Sequence, residues 1–198
     1  MNLPIVQAGE EVLRLPARRL SRAEILHDEI QKLIADMRDT MRSAPGVGLA
    51  APQVGVSVQV AVIEDRAEYH AKATREQLEE RQRRPVAFHV LINPSIVLSD
   101  GGSVEFFEGC LSVSGYVAIV PRSRRVTVEF LNEHAESVRV EAEGWYARIL
   151  QHEIDHLQGC LYIDRMHSRS FCTTDSFERL WKAIPIEDAR RKFTPVSR

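Results

Sequence analysis

The sequence predicts an α+β protein whose short, mostly antiparallel strands pack around a central helix that carries an HExxH sequence. An amphipathic helical pattern lies near the N-terminus, a run of short strand patterns fills the middle of the chain, and a second helical pattern follows at 145–158. Most connections between the strand patterns are too short for the crossovers that join parallel strands, so antiparallel pairing is expected.

The first predicted helix covers residues 21–43. Ser21 and Glu24 match a capping box, in which each side chain bonds a free backbone N–H at the helix start. Pro45-Gly46 is expected to end the helix. Apolar residues recur at spacings of three or four, which predicts one face packed on a core. They are Leu26, Ile30, Leu33, Ile34, Met37 and Met41.

Strand patterns begin at residue 57. Asn93-Pro94 is expected to end one of them, and a hairpin is predicted at 95–107 around Asp100-Gly101-Gly102. The other predicted strands contain alternating or β-branched residues and cover 57–63, 86–92, 117–120, 124–131 and 136–143.

Two segments have little apolar content. Residues 64–84 are dense in charge, which predicts a solvated helical excursion or a mobile insertion. Residues 170–198 form a polar tail, whose expected docking points are Phe171, Phe177, Leu180 and Trp181. Since the chain shows no internal repeat and no clear linker, residues 1–198 are expected to form a single domain.

Composition and charge disfavour several functional classes. The chain carries 26 basic and 28 acidic side chains, a balance that gives no basis for direct nucleic-acid binding. No uncharged apolar stretch of about 18 residues is present, so no membrane span is expected. The N-terminal residues lack the pattern of a secretory signal. Three cysteines, an odd number, favour a reducing compartment, and Cys160 and Cys172 are expected to be small buried hydrophobes.

His152, Glu153 and His156 form an H-E-x-x-H sequence within the second predicted helix. Residues four positions apart share a helix face, so both imidazoles can bind one metal ion. Glu153 would then lie close enough to a water on that metal to act as a general base. The pattern therefore predicts a metal-dependent hydrolase.

A catalytic metal needs a third protein ligand, and two candidates remain open. Cys110 sits in F-F-E-G-C-L-S beside a glycine, and a thiolate binds such metals strongly. Glu178 lies about twenty residues after the motif, at the distance that one class of zinc endopeptidase uses. Tyr162 occupies the position where metzincins require a histidine.

A glycine-rich segment, GVGLAAPQ at 46–53, matches neither the dinucleotide-binding pattern nor a P-loop. Its glycines allow the backbone to approach a ligand closely, and Gln53 supplies a neutral amide donor. A tight connection between a helix and a strand is the alternative interpretation of this segment.

Three segments occur in a characteristic order, at residues 46–53, 108–112 and 151–156. They read G-x-G-x-A-A-x-Q, E-G-C-x-S and Q-H-E-x-D-H, and together they resemble the peptide deformylase family. The resemblance extends from about residue 3 to about residue 171, and it is closest to the branch found in mitochondria and some bacteria. It implies Cys110, rather than Glu178, as the third ligand.

The resemblance implies an enzyme that removes the N-formyl group from the initiator methionine of new polypeptides and releases formate. One divalent metal would be held by Cys110, His152 and His156, natively Fe²⁺, with Zn²⁺, Ni²⁺ or Co²⁺ also able to occupy the site. Glu153 would serve as general base and acid. The Gln53 side chain and the Leu111 N–H would stabilise the oxyanion.

The family binds its peptide as an added strand, which by match would use backbone groups of Val47, Gly48 and Gly109. Trp145 and Ile149, with Val47 and the face of His152, are expected to line an apolar methionine pocket. A nearby ion pair between Glu108 and Arg148 is expected as well.

The implied partners are the formyl-methionyl N-termini of nascent chains. The expected protein is a monomer of the bacterial cytoplasm or, alternatively, of a mitochondrial or other organelle matrix. Ribosome association is left open, because residues 170–198 do not reproduce the C-terminal helix with which one bacterial form docks. A non-catalytic binding module is a further alternative, which intact Glu153 and Gln53 disfavour.

Overall fold

Strands and helices cover most of the part of the chain that the computed structural model describes, which is residues 1–99 and 101–193 without the Lys72 side chain. The strands there are β1 (Gly48–Ala50), β2 (Val60–Asp65), β3 (Val86–Leu98), β4 (Ser103–Cys110), β5 (Val113–Ser123), β6 (Arg125–Leu131), β7 (Ser137–Glu143) and β8 (Cys172–Thr173). The α-helices there are α1 (Arg22–Ile25), α2 (Asp28–Ser43), α3 (Arg75–Glu80), α4 (Gly144–Leu157), α5 (Thr174–Leu180) and α6 (Ile186–Phe193).

The strands form two sheets within these described residues. One sheet has five strands in the order β1-β2-β3-β6-β7, and the other has three in the order β4-β5-β8. Every pair of neighbouring strands in both sheets is antiparallel. The predicted α+β class with mostly antiparallel strands is therefore confirmed.

Helix α4 lies against strands of both sheets and is buried along most of its length. Its apolar side chains, among them Ile149, Leu150 and Ile154, join a core cluster with the larger sheet. The chain enters α4 at Gly144, whose φ of +62° favours glycine. The packing therefore places the HExxH segment in contact with both sheets.

The first predicted helix is wrong in one respect, because two helices replace it. Ser21 and Glu24 form the expected capping box, but α1 ends at Ile25. His27 is extended, with ψ of 143°, and α2 then starts at Asp28. Leu26 lies at this break and is 58% exposed, so it does not belong to the apolar stripe. The box caps only one turn, and the acidic residues after His27 start a second helix.

The predicted hairpin at 95–107 is wrong. Residues 95–98 continue β3 and pair with β6, whereas β4 pairs with β5 in the other sheet. The chain therefore changes sheets between Leu98 and Ser103, and Asp100 lies outside the described residues.

Asn93 does not end β3 as predicted. It adopts a φ of +52° at an irregularity in the strand. Its side chain bonds the backbone N–H and C=O of Leu20 at 2.9 and 2.6 Å. These two bonds stabilise the unusual conformation, so the strand continues beyond it.

The tail and the cysteines depart partly from expectation. Phe177 packs on Phe107 with ring centroids 4.8 Å apart, and Trp181 packs on Phe193 at 4.6 Å. Phe171 stacks on Tyr116 with ring centroids 4.8 Å apart. Leu180 remains 47% exposed, so its predicted docking is wrong. Cys160 and Cys172 are free thiols that are only partly buried, which corrects the prediction of buried side chains. In the described ranges, no helix combines the length and apolarity that crossing a membrane requires.

Candidate metal centre

Cys110, His152 and His156 come together where the end of β4 meets α4. One ligand atom from each residue lies within 4.8 Å of the other two, and Cys110 Sγ is 3.3 Å from His156 Nε2. One thiolate and two imidazoles form a donor set that suits a divalent transition metal. Glu178 is not part of this group, since it lies exposed on α5 and pairs with Lys182 at 2.6 Å.

Glu108 orients His152. Its Oε2 lies 3.0 Å from His152 Nδ1, so an Nδ1–H donor leaves Nε2 free to bind a metal. Burial alone would raise the pKa of Glu108, but the bond from His152 and the charge of Arg122 outweigh burial and hold this pKa well below its usual range. The carboxylate is therefore charged, as an acceptor from a metal-binding histidine should be.

Two buried arginines neutralise Glu108. Arg148 donates to Glu108 Oε1 at 2.5 Å, which is the ion pair expected from the sequence. Arg122 donates to both carboxylate oxygens of Glu108 at 3.0 and 2.9 Å and also bonds Asp155 at 2.5 Å. Arg165 then donates twice to Asp155, at 2.7 Å for both bonds. These linked ion pairs fix the position of Glu108, which in turn orients His152.

Sequence reasoning missed Arg122, Asp155 and Arg165 as supports of the site. Asp155 lies inside the H-E-x-x-H segment, so its position was the one available signal. Arg122 is only 4% exposed, and a buried arginine requires carboxylate partners. Its burial is a property of the packed structure and leaves no mark in the sequence.

Glu153 is buried beside the three candidate ligands without being one of them. The residue is 3% exposed, and its Oε2 has no hydrogen-bond partner among the described residues. Burial raises the pKa of Glu153 to about 7. A carboxyl group with such a pKa can both accept and donate a proton near neutral pH.

Gly48 allows Glu153 to occupy this position. A Cβ atom on Gly48 would lie 2.5 Å from Cδ and 2.8 Å from Cγ of Glu153, and it would overlap the Oε1 atom. β1 is a short strand that the sequence did not predict. The glycine is therefore required by close approach and not by its backbone conformation.

The amide group of Gln53 is fixed next to Cys110. Its Oε1 accepts from the Ala50 N–H at 2.9 Å, which directs Nε2 towards Cys110 Sγ at 3.4 Å and Ser112 Oγ at 3.3 Å. Gln53 is 1% exposed, so its donor lies in a desolvated environment. A preorganised donor of this kind can stabilise developing negative charge.

A cleft of about 480 Å³ opens over the centre. This volume is within the range of small-molecule and peptide pockets. All the sequence-predicted site residues except His156 line this cleft, and His156 is buried at 1% exposure. The lining includes Val47, Gly48, Gln53, Gly109, Cys110, Leu111, Trp145, Ile149, His152 and Glu153.

The family model and the relatives that match this chain are all described as deformylases. A family model for "Polypeptide deformylase" matches residues 2–171. "Peptide deformylase 1A, chloroplastic" of Solanum lycopersicum is 44% identical over 174 residues, which cover 88% of this chain and 63% of that protein. This chain thus spans less than two thirds of that relative. "Peptide deformylase, mitochondrial" of Homo sapiens is 42% identical over 167 residues, covering 84% of this chain and 69% of that one.

A solved structure that matches this chain is also described as a peptide deformylase. The Met-Ala-Ser-bound crystal structure of a class I type b peptide deformylase from Acinetobacter baumannii has a TM-score of 0.74 to this chain at 32% identity. The match covers 84% of this chain and 99% of that one. The match of the family model, residues 2–171, includes the segments that carry the candidate centre.

Proposed function

This chain belongs to the polypeptide deformylase family, and on that premise we propose that it removes the N-formyl group from the N-terminal methionine of newly synthesised polypeptides and releases formate. The observation that carries the proposal is the grouping of Cys110, His152 and His156 next to Glu153, a buried residue whose Oε2 makes no hydrogen bond with any described residue. A buried carboxylate oxygen without a hydrogen-bond partner is unusual in a folded protein. A water or substrate bound in the cleft would supply the missing partner.

Cys110, His152 and His156 would hold one divalent metal, with Fe²⁺ as the proposed native ion and Zn²⁺, Ni²⁺ or Co²⁺ as alternatives. When bound, such an ion lowers the pKa of water and polarises a carbonyl oxygen. Thiolate and imidazole ligands suit these metals better than Mg²⁺ or Ca²⁺. Glu108 supports the assignment because it fixes the ring of His152.

Glu153 would move the proton. It takes a proton from the attacking water as the water oxygen bonds to the formyl carbon, and it delivers that proton to the amine nitrogen as the C–N bond breaks. The products are formate and a free N-terminal amine. Gln53 Nε2 and the Leu111 N–H would stabilise the negative charge on the formyl oxygen, and one such donor typically contributes about 100- to 1000-fold in rate.

The peptide would bind between two sheet edges. β1 and β4 are each the terminal strand of their sheet, and residues of both line the cleft. An extended peptide can pair with free backbone groups of such strands, here the Val47 N–H, the Gly48 C=O and the Gly109 C=O. The methionine side chain would enter the pocket of Val47, Trp145 and Ile149. The bound Met-Ala-Ser of the Acinetobacter baumannii protein is consistent with this substrate class.

We propose a monomer that acts on nascent chains in the bacterial cytoplasm, with an organelle matrix as the alternative. The free state of all three cysteines suits a reducing compartment. The relatives include chloroplastic, mitochondrial and bacterial proteins. They are therefore compatible with either the bacterial cytoplasm or an organelle matrix.

Formate release from formyl-Met-Ala-Ser tests the proposal. Protein prepared anaerobically with Fe²⁺ is expected to release one formate for each free N-terminus that appears, whereas acetyl-Met-Ala-Ser should release no formate. Tight binding of the formyl peptide without formate release would instead favour a binding module. Cleavage of internal peptide bonds would favour a zinc endopeptidase.

Replacing Gly48 with alanine is expected to lower kcat/KM about 100-fold, which is the effect of displacing a catalytic group by about 1 Å. The added Cβ would overlap the Glu153 carboxylate, which must then shift. Steady-state kinetics and thermal unfolding measure the effect. Gly101→Ala is the control, because a Cβ at Gly101 meets no atom within 4 Å.

A double variant separates this clash from other causes. If overlap with Glu153 is the reason, Gly48→Ala should lower Tm in the native protein but much less in the Glu153→Ala background, because contacting residues have non-additive effects. Equal losses of Tm in both backgrounds would contradict the clash.

A further inference from the structure

The charged excursion at 64–84 is closed at its base by a buried ion pair. Arg83 donates from Nε and Nη2 to the two carboxylate oxygens of Asp65, both at 2.8 Å. Asp65 is fully buried at the end of β2, whereas helix α3 within the excursion has no buried residue. The excursion is thus solvated at its tip, as the sequence predicts, but firmly attached at its base.

The base of the excursion lies on Trp145. The guanidinium carbon of Arg81 is 5.1 Å from the centroid of the Trp145 ring, and that of Arg83 is 5.5 Å away. Arg81 is also 5.6 Å from the Phe106 ring, and the Phe106 and Trp145 rings contact each other edge to face at 6.1 Å. Arginine and aromatic rings attract one another at these distances.

Among the described residues, no hydrogen bond or ion pair of the Arg81 side chain accounts for its position. Its Nε is buried and makes no hydrogen bond with any described residue. A guanidinium placed this way is stabilised chiefly by the ring faces beneath it. Arg81 is therefore held by Trp145 and Phe106 and, reciprocally, restricts where the indole can lie.

The backbone of the excursion also contacts the start of α4. A Cβ atom at Gly144 would lie 2.5 Å from Gln82 Cβ and 2.9 Å from the Arg81 carbonyl oxygen. Trp145 follows Gly144 directly, and both Arg83 and Trp145 line the cleft over the candidate centre. The excursion therefore forms the outer support of one wall of that cleft.

We infer that the excursion is a specificity element, in which Arg81 and Arg83 are positioning residues that hold Trp145 as the wall of the pocket for the first side chain of the substrate. This inference rests on the proposed function, in which that pocket takes the methionine side chain. In that pocket, a long unbranched side chain would contact Trp145, whereas a methyl side chain would not. Loosening the wall should therefore affect methionine substrates selectively.

Arg81→Met is the principal test, because it removes the charge and keeps an unbranched apolar side chain. The ratio of kcat/KM for formyl-Met-Ala-Ser to that for formyl-Ala-Ala-Ser is expected to fall about 2- to 30-fold, mainly through KM for the methionine peptide, with metal content unchanged. Arg81→Lys should give an intermediate ratio. Arg75→Met is the matched control, since Arg75 lies in α3 with an 86% exposed side chain paired to Glu79.

Tryptophan fluorescence provides a readout that does not depend on turnover. The chain has two tryptophans, so Trp181→Phe leaves Trp145 as the only emitter. Adding Arg81→Met in that background is expected to shift the emission and increase quenching by iodide, while Arg75→Met changes neither.

A selectivity ratio equal to that of the native protein in folded Arg81→Met or Arg81→Lys would overturn the inference, as would equal losses on both peptides. Should Arg81→Met fail to fold, the Arg81→Lys ratio decides. If the native protein releases formate from neither peptide, the proposed function fails instead, and the fluorescence of Trp145 still decides whether Arg81 holds the indole.

Discussion

Replacing Glu153 with alanine is expected to lower kcat for deformylation about 100- to 10,000-fold while the metal stays bound, which is the usual contribution of a positioned general base. Glu153 lies beside the ligand group but is not a member of it. Its Oε2 is buried without a hydrogen-bond partner in the described part of the chain, so its removal breaks no bond of that oxygen. Steady-state formate release and elemental analysis of the same preparation measure the two quantities.

Two further variants test whether the loss of activity comes from the loss of the Glu153 proton acceptor. Glu153→Gln keeps the shape but cannot take up a proton, so it should be as inactive as the alanine variant and unfold at an equal or higher temperature. Glu141→Gln, on an exposed residue of β7, should be fully active. Loss of the metal from either Glu153 variant would show that the carboxylate is a ligand, and retention of turnover would show that another group moves the proton.

Replacing Cys110 with alanine is expected to reduce the metal content from about one equivalent per chain to nearly none, and turnover with it. Cys110 is the candidate ligand from β4, and the two candidate histidines both come from α4. Two imidazoles on one helix hold a metal far less firmly than three ligands from two elements. His152→Ala and His156→Ala should have the same effect.

The controls for this prediction come from the same chain. Cys160→Ala removes another partly buried thiol that is not in the ligand group, and it should keep the metal. Glu178→Gln should also keep the metal, because Glu178 is exposed and paired with Lys182. The opposite pattern, with the metal lost from Glu178→Gln and kept in Cys110→Ala, would favour the endopeptidase.

The sequence could not show which distant residues pack against Glu153 and the other candidate site residues. The order of the three motifs identified the family, but the contact of Gly48 with Glu153 joins two residues more than one hundred positions apart. The excursion illustrates the same point. Its charge predicted solvation, which α3 confirms, but nothing in its composition indicated that Arg81 and Arg83 lie on Trp145.

The sequence by itself determined the local features: the helix that carries His152 and His156 on one face, the Ser21 capping box and most of the strands. Only the tertiary structure decided that β3 and β4 belong to different sheets, and that Arg122 joins Arg148 on Glu108 and links it to Asp155. Helical spacing and capping depend on residues within four positions of one another, so the chain displays them directly. Strand partners and buried ion pairs depend on which distant surfaces exclude water from each other, and that becomes defined only when the sheets and α4 have packed.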